Sequence, residues 1–401
     1  MKQTLAGLRV LDFCWVGAGA LVTKLLAEHG ASIVKVESHA RPDNLRVAPP
    51  YRPGVEGLDG SGYFASRNND KKSLALNMST ERGRELARIL ASQSDIVANN
   101  FRPGIMERWG LSYEAISAAN PSVIYLSMPM QGSDGPHSSY IGFGSTIAAL
   151  AGLVELSGRP DRPPVGTGTH YPDHIPSPGH ALVAILAAIR RRKATGLGAS
   201  IELSQLESAA SVVGPALVAV ANGGPEPTRN GNRVDGHSPS GVFRCCGEDA
   251  WCAISVRNDT EWESLARVLA LPEEPRFATL AGRTAAEDDL EAVVAARTRS
   301  WDRYELAAAL QAVHVPAWAV QSSSDLLDDP QLAARGFWRK LNHPVIGEMT
   351  SPATPFRRDG ERTGPVENAP LFGEHTHEVA ATLLGLSERE IEALENSKVL
   401  W

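Results

Sequence analysis

Short apolar runs rich in β-branched residues alternate with segments of helical periodicity through the first third of the chain, and this alternation restricts the fold more than any other feature. Residues 8–13 (LRVLDF) and 32–37 (SIVKVE) have the character of buried strands, as do the shorter runs at 95–98 and 123–127. Helical patterns separate these runs, and strands joined by helices run parallel because each return over the sheet needs a crossover. The sequence therefore predicts an α/β fold with an open parallel sheet.

The composition is that of an ordinary globular protein, with 43% hydrophobic and 21% charged residues in a chain of 401. A formal net charge of −7 argues against a nucleic-acid partner, because such proteins normally carry a basic face. Four cysteines are too few for a disulfide scaffold, and the longest apolar stretches are too short to cross a membrane. The first residues do not have the pattern of a signal peptide. We therefore expect a soluble, cytoplasmic protein that does not associate with membranes.

A break rich in proline and glycine at residues 222–227 (NGGPEP) predicts a domain boundary. The stretch that follows, VFRCCGEDAWCAISV, has the pattern of a β-hairpin. Helical patterns come next, at about 259–270, 285–298 and 302–313. The remaining chain is also helical in pattern, without a sheet of its own.

The opening strand, glycine turn and helix form a unit typical of nucleotide-binding folds. Glu37 lies 20 residues after Gly17, where the acid that binds a ribose would stand, but Val22 occupies the position of the third glycine in the dinucleotide fingerprint. The amides of residues 17–20 begin a helix and are available to an anion or a thioester oxygen. A dinucleotide remains an alternative, while the broken fingerprint favours another nucleotide-bearing ligand.

Four cations are candidates for holding phosphate groups. Arg102 lies within the segment NNFRPG, which follows a predicted strand, and Arg108 lies shortly after that segment. Lys71 and Lys72 follow another loop. Arginine pairs form strong charge-assisted hydrogen bonds with phosphates. The alternative is that all four are solvated surface charges. We expect no metal site, because the spacing of Cys245, Cys246 and Cys252 with His237 matches no standard zinc motif.

The segment His170–Pro176 (HYPDHIP) joins a loop rich in glycine and proline to an apolar helix. It places an acid, a tyrosine and two histidines within five positions. A carboxylate just ahead of a helix N-terminus is stabilised as the anion, as a nucleophile requires. Asp173 is therefore either a catalytic nucleophile or an ordinary N-cap aspartate.

At these residues the sequence resembles the class III CoA-transferase family, which includes formyl-CoA and carnitine CoA-transferases and the related α-methylacyl-CoA racemases. The resemblance covers essentially the whole chain, and the order and spacing of its elements are specific. These elements are LAGLRVLDF with GAGA, the segment Lys71-Lys72-Ser73, NFRPG with Arg108, QGSDGP at 131–136, YPD at 171–173, DDPQLAARGFW at 328–338, and GEHTHEV with LGLSEREI near the end.

The resemblance implies a Rossmann-like large domain formed by residues 1–222 and completed by about 326–401. A smaller α+β domain, residues 223–325, is inserted between them. The resemblance also implies a homodimer of two interlocked chains, with a heteromer containing a homologous subunit as a further possibility.

The family also implies roles for particular residues. Asp173 matches the nucleophilic aspartate, which attacks a thioester to give a mixed anhydride and then an aspartyl-CoA thioester. The substrates are an acyl-CoA, for which succinyl-CoA is a reasonable donor, and a free carboxylic acid, with coenzyme A acting as a substrate rather than a resident cofactor. The residues that match contacts to coenzyme A are Val16, Gly17, Ala18, Lys71 or Lys72, Asn100, Phe101, Arg102 and Arg108.

Some positions depart from the family pattern. The racemase branch uses a His-Asp pair where this chain has Phe143 and Gly144, and phenylalanine cannot move a proton. Formyl-CoA transferase has a Glu at the position of Gly144, a Gln at that of Gly17 and a glycine run near residues 235–238, none of which is kept. We therefore expect a transferase for an acid bulkier than oxalate or formate. A racemase or epimerase and a non-catalytic subunit of a hetero-oligomer are the alternatives.

Overall fold

The six-stranded sheet at the centre of the fold is entirely parallel, as the sequence predicts. The computed structural model describes residues 3–401. The strands of the sheet are Arg9–Phe13 (β1), Ser32–Glu37 (β2), Lys71–Ala75 (β3), Ile96–Asn99 (β4), Ile124–Ser127 (β5) and Ala199–Glu202 (β6). They lie in the order β3-β2-β1-β4-β5-β6.

Two smaller sheets use the remaining strands, which are Ser240–Arg244 (β7), Trp251–Ser255 (β8), Ala317–Ala319 (β9), Trp338–His343 (β10) and Gly347–Pro352 (β11). Strands β7, β8 and β9 form an antiparallel sheet that contains the predicted hairpin. Strands β10 and β11 form a second antiparallel hairpin. The expectation that the C-terminal part has no sheet of its own is therefore wrong, because the alternation of polar and apolar residues in β10 and β11 is too weak to read as strand.

Helices connect the strands and cover the sheet. They are Ala18–Glu28 (α1), Gly62–Arg67 (α2), Glu81–Ser92 (α3), Ile105–Arg108 (α4), Tyr113–Ala119 (α5), Gly144–Leu150 (α6), Tyr171–His174 (α7), Pro176–Thr195 (α8), Gln205–Ala210 (α9), Gly214–Ala221 (α10), Asp259–Val268 (α11), Leu280–Ala285 (α12), Glu287–Thr298 (α13), Arg303–Ala312 (α14), Ser323–Asp328 (α15), Pro330–Ala334 (α16), Thr376–Thr382 (α17) and Glu388–Asn396 (α18). Short 3₁₀ turns occur at Asn44–Val47, Ser211–Val213 and Pro275–Phe277. Within residues 3–401, no helix combines the length and apolar character needed to cross a membrane.

The central strands are apolar on both faces, which is why they read as continuous hydrophobic runs. Val10 and Ile96 face the core that α1 and α8 cover, whereas their neighbours Leu11 and Val97 face the core formed with α3, α5, α17 and α18. Successive residues of a strand point to opposite faces, so one short strand contributes to both cores. The sheet is thereby fixed between two layers of helices.

The chain divides into two compact units. The larger comprises the chain up to Val154, Gly166–Pro225 and Gln331–Trp401, and the smaller comprises Glu155–Val165 and Glu226–Pro330. The sequence-based division assigned residues 155–165 to the large domain, but the structure places them in the smaller unit.

Two contacts hold residues 155–165 in the smaller unit. Arg229 ion-pairs with Glu155 at 2.6 Å, and the Gly231 amide donates to the Gly158 carbonyl at 2.8 Å. Both partners come from the segment that follows the predicted boundary, so the loop belongs with it.

Strand β3 was missed in the sequence because it begins with two lysines. Lys71 is buried, and its ammonium lies 3.0 Å from Asp12 Oδ2, 2.7 Å from Thr23 Oγ1 and 2.9 Å from Asn68 Oδ1. Lys71 is tolerated in a buried strand because Asp12 on β1 neutralises its charge. Burial alone would raise the pKa of Asp12, but the neighbouring ammoniums outweigh burial and lower it. The ion pair joins β1, β3 and α1.

Replacing one member of this buried pair tests its contribution to stability. We expect Lys71→Met to lower the free energy of unfolding by about 3–5 kcal/mol, because it removes the cation paired with the buried Asp12 and leaves Lys35 as the remaining ammonium nearby. Denaturant titration measures the change. The matched control is Lys72→Met on the same strand, since Lys72 is partly exposed and pairs with the exposed Glu378. The control should cost no more than about 1 kcal/mol, and equal losses in the two variants would contradict this assignment.

Candidate active site

A cleft opens where the strand order reverses, between the loops that follow β1 and β4. In open α/β sheets, ligands bind outside the carboxyl ends of the strands at such a point. Asn100 ties the two loops together, because its side chain accepts from the Trp15 amide at 2.9 Å and donates to the Trp15 carbonyl at 2.6 Å. The cleft has a volume of about 220 Å³. Its lining residues are Trp15–Ala18, Asn100–Arg102, Met130, Tyr140–Gly144, Ile147, Asp173 and Gln205.

Val16 adopts a left-handed backbone conformation at the edge of this cleft, with φ of 62°. A β-branched residue avoids this region, so its surroundings must impose it. The Val16 amide donates to Asp43 Oδ1 at 3.0 Å, and the adjacent Trp15 is held by Asn100. Lys35 supports the arrangement, because its ammonium lies 2.8 Å from Asp43 and 2.7 Å from the Cys14 carbonyl. The loop after β1 is thus held by buried charges.

This loop delivers the chain directly into helix α1, whose N-cap is Gly17. The first amides of a helix have no partner within it and form a partial positive charge. Gly17 and Ala18, at this helix start, line the cleft in which Asp173 lies. The structure confirms that a helix begins at residues 17–20, whereas the binding of an anion there stays a prediction.

Glu37 does not stand free to bind a ribose, as the dinucleotide alternative requires. Its carboxylate accepts two hydrogen bonds from Arg46, at 2.7 and 2.8 Å, and a third from Ser73 at 3.0 Å. Burial alone would raise the pKa of Glu37, but the bonds from Arg46 outweigh it and the pKa falls. Glu37 is therefore an ionised structural residue.

Asp173 lies within the four-residue helix α7, with only 7% of its surface exposed. Burial raises its pKa to about 6, although the charge of His170 and a hydrogen bond from the Gly144 amide act in the opposite direction. Asp173 is not the N-cap of the long helix α8, because that position belongs to Ile175. Its carboxylate accepts instead from Gly144, the first residue of α6, so the N-cap alternative for α8 is wrong.

Two glycines make room for the Asp173 carboxylate. A Cβ atom added at Gly17 would lie 3.0 Å from Asp173 Cβ, and one added at Gly144 would lie 2.3 Å from Asp173 Oδ2. A side chain at either position would displace the carboxylate. Next to Gly144, the Phe143 ring is 62% exposed and offers the cleft an apolar surface.

A second cleft, of about 440 Å³, lies along the carboxyl ends of β1 to β4. The rings of Trp15 and Phe101, in edge contact at 5.1 Å between centroids, line both clefts. The remaining lining residues are Phe13, Val36–Ser38, Ala40, Arg41, Leu76–Ser79, Ile105, Arg108 and Trp109. The second cleft is mainly apolar, with the two arginines contributing positive charge.

Six of the residues predicted to contact coenzyme A surround Asp173 in the first cleft, and Arg108 lies in the second. The six are Val16, Gly17, Ala18, Asn100, Phe101 and Arg102. Lys72 lies at the opposite, amino-terminal edge of the sheet, near Arg9 and Ser32. Lys71 is buried and saturated by Asp12 and its neighbours. The two lysines therefore contribute no free cation to either cleft.

Sequence patterns carried no sign of the groups near Asp173 that lie far from it along the chain. These are the amide of Gly144, which donates to the carboxylate, and the side chain of Tyr63 on α2, which interacts electrostatically with it. The clamp between Asn100 and Trp15 in the wall of the cleft was missed as well. Periodicity marks strands and helices but carries no signal for a backbone amide or for a contact over a hundred residues away. In the sequence, Gly144 stands out only because it replaces an acidic residue of the family pattern.

The raised pKa of Asp173 carries a cost in stability. A pKa of about 6 rather than 3.8 means that the ionised side chain destabilises the folded protein by about 3 kcal/mol. Because the folded state binds the proton more tightly, this cost is absent below about pH 4, grows between pH 4 and 6, and is complete above pH 6.

We therefore expect Asp173→Asn to raise the free energy of unfolding by up to about 3 kcal/mol at pH 8 and to have little effect at pH 4. Denaturant titrations at the two pH values measure the difference. Asp134→Asn is the control, because Asp134 is exposed and should change stability by less than about 0.5 kcal/mol. A destabilised Asp173→Asn variant at pH 8 would contradict the assignment of the charge.

Comparison with known proteins identifies the family. The model of CoA-transferase family III matches residues 5–376. A probable CoA-transferase of Mycobacterium tuberculosis is 33% identical over 98% of this chain, which spans about half (50%) of that relative's length. Succinyl-CoA--D-citramalate CoA-transferase of Chloroflexus aurantiacus is 29% identical over 99% of this chain and 98% of its own.

Among solved structures, a CAIB/BAIF family protein from Brucella suis superposes with a TM-score of 0.87 and 31% identity, over 96% of this chain and all (100%) of that one. Other relatives bear the names succinyl-CoA:mesaconate and formyl-CoA:oxalate CoA-transferase. The resemblance seen in the sequence motifs is confirmed. The chain belongs to CoA-transferase family III and is a CoA-transferase.

Proposed function

We propose that this CoA-transferase moves coenzyme A from an acyl-CoA thioester to a free carboxylic acid, with Asp173 as the covalent nucleophile. The observation that supports this most directly is the position of Asp173. Its buried carboxylate lies between Gly17, at the start of α1, and the amide of Gly144, inside the cleft at the switch point of the sheet. A carboxylate so placed can attack a carbonyl carbon held in the cleft.

The reaction proceeds in four substitutions at carbonyl carbon. Asp173 attacks the donor thioester, forming a C–O bond and expelling the CoA thiolate, to give a mixed anhydride. The thiolate then attacks the Asp173 carbonyl and releases the donor acid as its carboxylate, which leaves an aspartyl-CoA thioester. The acceptor carboxylate attacks this thioester and expels the thiolate again, giving a second anhydride. Attack of the thiolate on the acceptor carbonyl forms the new acyl-CoA and restores Asp173.

The surroundings of Asp173 suit this sequence of steps. With a pKa of about 6, the carboxylate is largely ionised at neutral pH, and burial leaves it poorly solvated and therefore reactive. Each substitution passes through a tetrahedral oxyanion, and the amides at the start of α1, which have no partner within the helix, are available to stabilise it. The apolar wall formed by Phe143 and Ile147 limits access of water to the anhydrides.

Coenzyme A occupies both clefts in this proposal. The mainly apolar second cleft takes the adenine, with Arg108 and Arg41 at its edge to pair with phosphates. Arg102 of the first cleft and Arg108 of the second also line one further cavity together. The pantetheine arm then passes Phe101 and Trp15, which line both clefts, and brings the thioester to Asp173. Asn100 acts by fixing the loop at Trp15, since both ends of its side-chain amide are occupied there.

Succinyl-CoA is the donor that we propose, with an acceptor acid larger than formate. The cleft beside Asp173 has a volume of about 220 Å³, which is room for an acyl group larger than formyl. Relatives named for succinyl-CoA and D-citramalate or mesaconate make a four- or five-carbon acid a reasonable partner. The racemase alternative lacks support, because the exposed ring of Phe143 cannot act as a base.

Isotope exchange tests the nucleophile without knowledge of the acceptor. Incubation with unlabelled succinyl-CoA and labelled succinate should move the label into the thioester, because the donor acid is released and rebound in each cycle. We expect Asp173→Asn to reduce this exchange by at least about 10³-fold, since the amide is not a nucleophile. The rate at low substrate concentration should also fall about tenfold per pH unit below pH 6, as Asp173 becomes protonated.

The control is the stability of the same variant, which we expect to equal or exceed that of the parent protein. Label exchange by Asp173→Asn at the parent rate would rule out the proposed nucleophile. Exchange of the α-hydrogen with deuterated water, in the absence of an acid, would favour a racemase instead.

A homodimer with interlocked chains is the assembly that we propose. Helix α10 (GPALVAVA) carries apolar side chains throughout, yet none of its residues is buried within the single chain. Leu217 and Val218 are 55% and 60% exposed, and Val183 and Leu186 on α8 are also exposed. Exposed apolar surface of this extent on a soluble enzyme marks a contact with another chain.

Replacing α10 residues by charged ones tests the dimer. We expect Leu217→Glu combined with Val218→Glu to shift the mass measured by light scattering from that of two chains towards that of one, because two carboxylates cannot be buried unpaired. Ile89→Glu, at a partly exposed position on α3, is the control and should leave the mass unchanged. A single-chain mass for the parent protein would contradict the proposal.

A further inference from the structure

Three polar side chains lie beside Asp173 and have no part in the mechanism above. Tyr63 and Arg67 are one turn apart on α2, and His174 follows Asp173 in the chain. The Tyr63 hydroxyl lies 3.5 Å from His174 Nε2, and the Arg67 guanidinium lies 5.7 Å from the centre of the Tyr63 ring. The charge of Asp173 contributes to the raised pKa of Tyr63, after the larger effect of burial. The three side chains therefore form one cluster, which adjoins Asp173 through Tyr63 and His174.

Arg67 differs from the other arginines that are buried in this protein. Arg46 is saturated by Glu37 and Asp59, and Arg283 by Asp259 and backbone carbonyls. In the part of the chain that the structure describes, Arg67 has neither an ion pair nor a hydrogen bond, and its Nε atom is buried without a partner. A cation removed from water without an anion is costly. Arg67 is half-buried rather than fully buried, so the unsatisfied atom is Nε, and a carboxylate bound beside it would supply the acceptor that this atom lacks.

The position of Arg67 at the end of α2 explains only in part why its charge has no anionic partner. A cation in the last turn complements the helix dipole, but α2 has only six residues. The dipole also leaves unexplained why the guanidinium lies over Tyr63 and is half-buried. An exposed position would serve the dipole as well.

His174 adds a second unsatisfied group to the cluster. Burial, together with the charges of Arg67 and His170, lowers its pKa to about 4, so its imidazole is neutral at physiological pH. Its Nδ1 atom is buried without a partner, like Nε of Arg67. A carboxylate can accept about four hydrogen bonds through its two oxygens. One such group would satisfy Arg67 and leave an acceptor position for a neighbouring donor.

We propose that Arg67 binds the free carboxylate at the far end of the acyl group, with Tyr63 and His174 beside it, while the near end reacts with Asp173. The substrate is then a short dicarboxylic acid, and Arg67 determines this specificity. The proposal rests on the proposed function of Asp173. It adds a residue that discriminates between acids with and without a second negative charge.

Exchange of labelled acid tests this residue with two matched substrates. Succinate with succinyl-CoA carries the distal carboxylate, and succinamate with succinamoyl-CoA has an uncharged amide of nearly the same shape. We expect Arg67→Gln to reduce kcat/KM for succinate exchange roughly 10- to 100-fold, as for the loss of a charged hydrogen-bonded pair. Succinamate exchange should change less than about threefold. Arg67→Lys, which keeps the charge but not the fork of donors, should lie between the parent and Arg67→Gln.

Arg82→Gln is the control, because Arg82 is exposed on α3 and pairs only with Glu85. It should leave both exchanges unchanged. If Arg67→Gln slows both substrates equally or neither, or if the parent enzyme exchanges butyrate as readily as succinate, the assignment of Arg67 is overturned. If the parent enzyme exchanges none of these acids and Asp173 forms no adduct trapped by hydroxylamine, the proposed function itself fails.

Discussion

Buried ion pairs fix the loop on which the active site depends. Lys35 binds both Asp43 and the carbonyl of Cys14, and Asp43 in turn holds the amide of Val16. These contacts impose the left-handed conformation of Val16 and so direct the chain from β1 into α1. Charges without access to water hold their partners in one geometry, since any other arrangement leaves a charge unpaired. The start of α1 at Gly17 is held in the wall of the cleft for this reason.

The pKa of the buried Asp173 is shifted in the opposite direction from those of the buried carboxylates in the framework. Asp12 and Glu37 are paired with cations, and their pKa values fall despite their complete burial. Asp173 has only the amide of Gly144 and the charge of His170 to offset desolvation, and its pKa rises to about 6. An ionised group that is poorly compensated destabilises the fold but retains its reactivity. The same protein thus contains buried carboxylates that fix its framework and one, the proposed nucleophile Asp173, that burial leaves poorly compensated.

Sequence patterns predicted the parts of the fold in which hydrophobic burial dominates. Strands β1, β2, β4 and β5 were found because both of their faces are apolar, whereas β3 was missed because its first residue is a lysine that only Asp12 makes compatible with the core. The motif around Asp173 was recognisable from its resemblance to a family. The cluster of Tyr63, Arg67 and His174 was not, since its members meet only in the folded chain, over 111 residues of sequence.

The absence of a side chain at Gly144 affects both the geometry of the site and the reaction that the site favours. With the backbone placed as it is, a Cβ atom at this position would lie 2.3 Å from Asp173 Oδ2, so the site cannot hold both an acidic side chain here and the observed carboxylate. The racemase branch places its acid at this position, whereas here the backbone amide alone remains and donates to Asp173. A group that donates a hydrogen bond but cannot accept a proton favours covalent attack over proton removal. In this chain the Asp173 carboxylate therefore has a backbone amide beside it at position 144 and no second acidic side chain, which suits the nucleophilic role proposed for it.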